Sequence, residues 1–135
     1  MEELTAGHSF VLMRIVYATN VVVAGVVGYL SLFDPQAAFR NVFEGTIEPS
    51  LDTRILGALW LTIAVVSAFG LFRPLPFSPV LLMQLLYKGG WLLAVAVPLL
   101  FAGRADALPT SMSVFFAVWV LVLPFVIPWR HLFAA

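Results

Sequence analysis

Four apolar runs, each close to membrane-spanning length, are the feature that most constrains this chain. They cover residues 10–33, 53–72, 79–101 and 112–129 of the 135-residue sequence. A helix needs roughly 20 apolar residues to cross a hydrocarbon core about 30 Å thick. Backbone groups inside that core must find their hydrogen-bond partners within the segment. The pattern therefore predicts an all-α fold, a four-transmembrane-helix antiparallel bundle that forms a single integral membrane domain over residues 1–135.

Composition and charge narrow the classes of partner. Only 10% of the residues are charged, against about 25% in soluble domains. The lipid bilayer is therefore the expected surrounding, and the formal net charge of zero gives no basis for nucleic-acid binding. The chain has no cysteine, which excludes disulfides and thiolate metal sites. Because Glu2 and Glu3 make the N-terminus acidic and the first run is long, we interpret that run as a retained helix, not a cleaved signal peptide.

The long connection between the first and second runs predicts a small element of its own. Asp34 can cap a helix whose first residue is Pro35. In the segment that follows, Phe39 and Phe43 fall on one side together with Val42. We predict a short interfacial helix between spans one and two, lying on the membrane surface. An ordered loop with two buried phenylalanines is the alternative.

Two further patterns concern the packing and ends of the helices. Residues 73–76 are short and proline-rich, which predicts a tight turn and makes spans two and three antiparallel neighbours. Ser50 or Asp52 can cap span two, and Ser78 before a proline predicts a cap for span three. Small residues also line one face of each of the first two spans, which predicts close helix packing. They are Ala18, Gly25 and Gly28 in span one and Gly57, Ala64 and Ala68 in span two.

Lys88 lies in the middle of the third run, and no run contains an acidic residue that could neutralise it. A lysine at mid-bilayer depth costs at least about 2.5–3.5 kcal/mol. On a helix, Gln84, Tyr87 and Trp91 share the face of Lys88, whereas the other faces are aliphatic. This polar and aromatic stripe is expected to face the bundle interior or a neighbouring subunit.

Span one offers a matching face that contains Arg14, Tyr17 and Asn20. We expect Arg14 near the depth of Gln84 or slightly nearer the membrane surface, and Asn20 near the depth of Lys88. A pocket of this kind, rich in cations, amides and phenols, suits a quinone head group, a lipid phosphate, a carboxylate or an inorganic anion. The predicted ligand-binding residues are Lys88, Gln84, Tyr87, Arg14, Trp91 and Asn20.

Other interpretations of these residues stay open. Lys88 can pair with backbone carbonyls or a partner's acid, or can extend toward the head groups, and Arg14 can also snorkel to the surface. Asn20 can serve only as an interhelical hydrogen-bond donor. Gly89-Gly90 allows either close packing or space for water or a bound group. We find no catalytic motif and predict no metal ligands. His8 and His131, at one membrane surface, make only a weak case for a haem site.

The first half of the chain carries a family resemblance. Arg14 lies early in span one, which ends in Leu32-Phe33-Asp34-Pro35, and span two opens with Arg54-Ile55-Leu56-Gly57-Ala58-Leu59-Trp60. In these features the chain resembles the DoxX-like superfamily of small four-span bacterial membrane proteins. The resemblance implies a membrane subunit that passes electrons from sulfur compounds to quinone, or a factor in redox stress or assembly. It does not extend to residues 84–88. The lack of cysteine argues against a thiol-based role here.

We therefore predict a small accessory or ligand-binding membrane protein without stand-alone catalytic activity, with a quinone as the candidate cofactor or an anionic lipid as ligand. A small anion channel or transporter is one alternative, and a scaffold subunit of a larger complex is another. Other membrane subunits or a second copy in a homodimer are candidate partners. The expected location is the bacterial inner membrane. Both termini are placed in the cytoplasm, although three arginines lie on each side. These are Arg14, Arg73 and Arg130 against Arg40, Arg54 and Arg104.

Overall fold

The computed structural model describes residues 2–134, with side chains from residue 10 onward. Every regular element in this part of the chain is helical, so the all-α prediction is confirmed. The helices are α1 (Glu2–Phe33), α2 (Pro35–Asn41), α3 (Leu51–Phe72), α4 (Pro79–Trp91), α5 (Val97–Phe101), α6 (Thr110–Val126) and α7 (Trp129–Phe133). A π-helical turn, Leu92–Ala96, joins α4 to α5 without a break, and a 3-10 turn, Ala105–Ala107, precedes α6.

Three helical stretches are long and apolar enough to cross a membrane. They are Phe10–Phe33 in α1, Leu51–Phe72, which is α3, and the continuous stretch Pro79–Phe101. The fourth apolar run forms α6, which has 17 residues and is shorter than these three. Length and composition thus support a protein integral to a membrane.

Local sequence explains where several helices begin. Asp34 accepts a hydrogen bond from the Ala37 amide at the start of α2, as predicted. Ser50 caps α3 in a reciprocal box with Thr53. The predicted cap at Ser78 is wrong, because its hydroxyl donates to the Leu75 carbonyl inside the preceding turn.

The π-helical turn has a sequence cause in Pro98. A proline inside a helix supplies no N–H, and its ring clashes with the carbonyl four residues earlier. The wider π turn at Leu92–Ala96 lies directly before this proline and accommodates the ring. The helical stretch is therefore continuous from Pro79 to Phe101.

Helices α1 and α3 run antiparallel, with their backbones in close approach. A methyl group at Gly28 would lie 2.7 Å from the Leu61 amide nitrogen, and one at Gly57 would lie 2.6 Å from that of Leu32. Gly25 likewise faces Ala64. The prediction of close packing is therefore confirmed at these glycines.

The helices joined by the turn at residues 73–76 do not form the main packing pair. α3 packs along α1, whereas α4 packs against α6, and α3 touches α4 only slightly. Tyr17 fixes the pair of α1 and α3 at the end where α3 stops. Its ring lies against Gly70, and its hydroxyl donates to the Pro74 carbonyl at 2.7 Å. The fold thus consists of two helix pairs, α1 with α3 and α4 with α6.

The connection between α1 and α3 closes one end of the structure. The predicted short helix is present as α2, and Phe43 beyond it is 1% exposed and stacks on Trp60 at 6.0 Å. Phe43 therefore packs inward, as the loop alternative expected. Glu44 follows with a positive φ of 52°, and Gly45 continues the turn with a φ of 74°.

Glu44 supplies a cap to another helix, since its carboxylate accepts the Ser111 amide in the first turn of α6 at 2.8 Å. We expect Glu44→Ala to lower the free energy of unfolding by about 1 kcal/mol, because it removes a charge-assisted cap. Reversible unfolding in mixed micelles measures this value. Glu48→Ala, at an exposed site with no such bond, is the control. Equal losses in the two variants would contradict the capping role.

Candidate ligand-binding site

A buried polar triad joins α1, α3 and α4. The side-chain amides of Asn20 and Gln84 bond reciprocally, with donor–acceptor distances of 2.9 and 3.2 Å. The Asn20 nitrogen also donates to the Ser67 hydroxyl at 3.2 Å. All three residues are buried. The amide oxygens are therefore already engaged by partners within the protein.

A second cluster gathers hydrogen-bond donors around one oxygen, one turn further along α4. The Lys88 ammonium donates to the Tyr87 hydroxyl at 2.6 Å, and the Trp60 indole N–H donates to the same oxygen at 3.1 Å. Lys88 Nζ also lies 4.9 Å from the centre of the Phe116 ring. That ring meets Tyr87 edge to face at 5.8 Å. We call Trp60, Tyr87 and Lys88 the donor cluster.

Lys88 is only 3% exposed and points into the protein. Its hydrogen bond goes to a phenol, and not to a backbone carbonyl or to the surface. Every acidic residue between positions 10 and 134 is exposed, whereas Lys88 is buried. Aromatic faces supply part of the solvation of the ammonium. The described part of the chain offers it no countercharge.

The donor cluster borders a cavity of about 250 Å³. Asn20 and Gln84 line one end of it, and Asn41 and Ser111 line the other, where α2 ends and α6 begins. The cavity therefore extends from mid-helix depth toward the connection between α1 and α3. The rest of its wall is mainly aliphatic and aromatic, formed by Val23, Ala24, Val27, Val42, Met112, Phe115 and Phe116.

The structure brings four of the six predicted ligand-binding residues to this cavity, namely Lys88, Tyr87, Gln84 and Asn20. Arg14 lies elsewhere: it is exposed, and its guanidinium donates to the Leu71 carbonyl at 3.1 Å. Trp91 also lies outside the lining and packs edge to face on Phe116 at 5.5 Å.

The relative depth of the two faces differs from the prediction. Asn20 was expected at the depth of Lys88, but it forms its hydrogen bond with Gln84. Relative to the prediction, α1 is therefore displaced along α4 by about one helical turn. This displacement carries Arg14 away from the cavity and toward the end of α3. Tyr17 reaches the turn at Pro74 and plays no part in the lining.

Sequence reasoning missed Trp60, Ser67 and Phe116. Ser67 places a hydroxyl on the small-residue face of span two, so the sequence pattern already indicated a polar group there. Trp60 and Phe116 lie within apolar runs, where an aromatic residue has no distinguishing signal. Gly90 is clearer in the structure, because a methyl group built there meets no atom within 4 Å. Gly90 is therefore not a position of tight helix packing.

Comparison of the chain with models of protein families, with curated proteins and with solved structures gives no match. Within the described residues, no group of three or more histidine, aspartate or glutamate side chains is arranged to hold a metal ion. His131 is exposed, and the side chain of His8 lies outside the described residues.

Proposed function

We propose that this protein is a four-span antiparallel bundle that binds the head group of a quinone or an anionic lipid in the cavity beside Lys88, as an accessory membrane protein. The observation that carries the proposal is the buried excess of donors around Tyr87. α6 serves as the fourth span, since 17 residues lie at the short end of the spanning range. The DoxX-like relationship, the bacterial inner membrane and cytoplasmic termini belong to the same proposal.

The donor excess can be counted. A lysine ammonium has three N–H donors and an indole has one, whereas a phenol oxygen accepts at two positions. Two donor hydrogens of Lys88 therefore remain after its bond to Tyr87. Buried donors are costly to leave unpaired. A ligand that carries carbonyl or phosphate oxygens relieves this cost, as ordered water also can, whereas an aliphatic chain cannot.

The size and lining of the cavity favour a ring-sized head group. Its volume of about 250 Å³ lies just below the roughly 300–1,000 Å³ typical of small-molecule sites. An isoprenoid or acyl tail would have to leave through the end near Asn41 and Ser111. The aromatic wall at Phe115 and Phe116 suits a flat ring.

The triad of Asn20, Gln84 and Ser67 weighs against the anion channel or transporter. Its mutual hydrogen bonds close the bundle on the terminus side of Lys88. A conducting path would have to break them. The scaffold alternative needs Lys88 at an outer surface, whereas the residue is buried. We therefore expect no chloride or fluoride flux above that of empty vesicles when the protein is reconstituted in liposomes.

Binding of two probes tests the proposal: a short-chain benzoquinone and phosphatidylglycerol, each measured by equilibrium filtration in a fixed amount of detergent. We expect Lys88→Met to weaken binding of the preferred probe by about 10- to 100-fold, the value of one charge-assisted hydrogen bond of about 1.5–3 kcal/mol. Arg14→Met, at an exposed cation outside the cavity, should leave binding unchanged. If Lys88→Met and wild type bind both probes equally, the site is wrongly assigned.

A further inference from the structure

The hydroxyl of Tyr87 has an unusual place in the donor cluster. Its oxygen accepts from Lys88 and from Trp60, so both of its acceptor positions are filled. Its own hydrogen has no acceptor among residues 10–134. Tyr87 lines the cavity, and the hydroxyl can therefore act toward a bound molecule only as a donor.

Packing holds this arrangement in place. Trp60 is buried and stacked on Phe43 at 6.0 Å, so its indole N–H is directed at Tyr87. Phe116 meets the Tyr87 ring at 87°, which limits rotation of the phenol. Trp60 thus acts on a ligand through Tyr87, as a positioning residue.

The neighbouring amide acceptors are already paired within the protein. The amide oxygens of Asn20 and Gln84 already accept hydrogen bonds from each other. At the donor cluster itself, a bound molecule therefore meets the N–H groups of Lys88 and the O–H group of Tyr87. The side-chain oxygens of Asn41 and Ser111 line the cavity further away, where α2 ends and α6 begins. A carbonyl oxygen satisfies these donors, whereas the hydroxyl hydrogen of a reduced ring would find no acceptor within the donor cluster.

We propose that the donor cluster selects the oxidation state of its ligand, and holds a quinone carbonyl in preference to the corresponding quinol hydroxyl. Trp60 determines this preference, because its N–H occupies the Tyr87 lone pair that could otherwise accept from a quinol. The inference rests on the proposed function and narrows it to the oxidised quinone. No electron transfer is part of it, since the selection is one of binding.

The test compares the oxidised and reduced forms of one short-chain benzoquinone, by anaerobic equilibrium filtration with chromatographic quantification. We expect the wild-type protein to bind the quinone at least about tenfold more tightly than the quinol. Trp60→Phe keeps an aromatic ring against Phe43 and frees a lone pair on Tyr87. Quinol binding should therefore become several-fold tighter, and the ratio of the two affinities should fall.

The matched control is Trp119→Phe. Trp119 is also a buried tryptophan, but its indole N–H has no hydrogen-bond partner among the described residues, and it lies outside the cavity. This variant should keep the wild-type ratio. If quinol affinity rises in Trp60→Phe but not in Trp119→Phe, the effect comes from the hydrogen bond to Tyr87, because loss of a merely structural tryptophan would not tighten binding.

The outcomes separate the two proposals. Equal wild-type affinity for quinone and quinol would overturn the oxidation-state selection and leave quinone binding intact. Binding of phosphatidylglycerol alone would overturn the selection and favour a lipid ligand. Binding of neither probe class would overturn the proposed function itself.

Discussion

Gly57→Ala is expected to lower the free energy of unfolding by about 3 kcal/mol, the upper part of the usual range for overpacking. The added methyl group would lie 2.6 Å from the Leu32 amide nitrogen and 2.8 Å from the Ser31 carbonyl carbon. These are backbone atoms of a long helix, so no rotamer change can relieve the contact. α1 and α3 would have to separate along their common face. Unfolding by sodium dodecyl sulfate in mixed micelles measures the loss.

Gly90→Ala is the control for that variant. It makes the same substitution inside a helix, but the added methyl group meets no atom within 4 Å. Alanine favours the helix over glycine by about 1 kcal/mol, so this protein should be as stable as wild type or slightly more stable. Equal destabilisation by both substitutions would show that close packing of α1 on α3 is not what Gly57 provides.

Asn20→Leu is the second substitution with a large expected effect, again a loss of about 3 kcal/mol. It leaves the Gln84 amide and the Ser67 hydroxyl buried without their partner. Each unsatisfied buried group costs about 1–3 kcal/mol. The same unfolding measurement applies, and the protein should remain helical by circular dichroism, because the apolar faces of α1 are unchanged.

The double variant Asn20→Leu with Gln84→Leu distinguishes lost pairing from lost packing. Replacing both partners by apolar groups can be nearly neutral, so the double variant should recover much of the stability that Asn20→Leu alone loses. If the double variant instead loses as much stability as the two single variants together, Asn20 and Gln84 contribute independently.

The helical fold and the centre of the candidate site could be predicted because both leave local signals. A 20-residue apolar run requires a helix if it lies in lipid. A lone cation in such a run, Lys88, has to face something polar. The face shared by Lys88, Gln84 and Tyr87 follows from helix geometry alone. These three residues do lie at one cavity.

The axial position of one helix against another could not be predicted in the same way. Helical projection gives the direction of a side chain but not its depth relative to a neighbour. In this protein the depth of α1 is set by the contact of Gly28 with Leu61 and by the bond from Tyr17 to Pro74. That setting pairs Asn20 with Gln84 and leaves Arg14 outside. The role of Trp60 likewise depends on how closely α3 approaches α4.

The two helix pairs differ in mechanical character. Between α1 and α3, backbone lies against backbone, whereas α4 meets α6 through side chains such as Trp91 and Phe116. Side chains can change rotamer, but backbones in contact cannot shift without separating the helices. The cavity between the pairs therefore has one stiff wall and one compliant wall. If the proposed head groups bind, those of unequal width would be accommodated by movement on the α4–α6 side, while α1 and α3 keep their spacing.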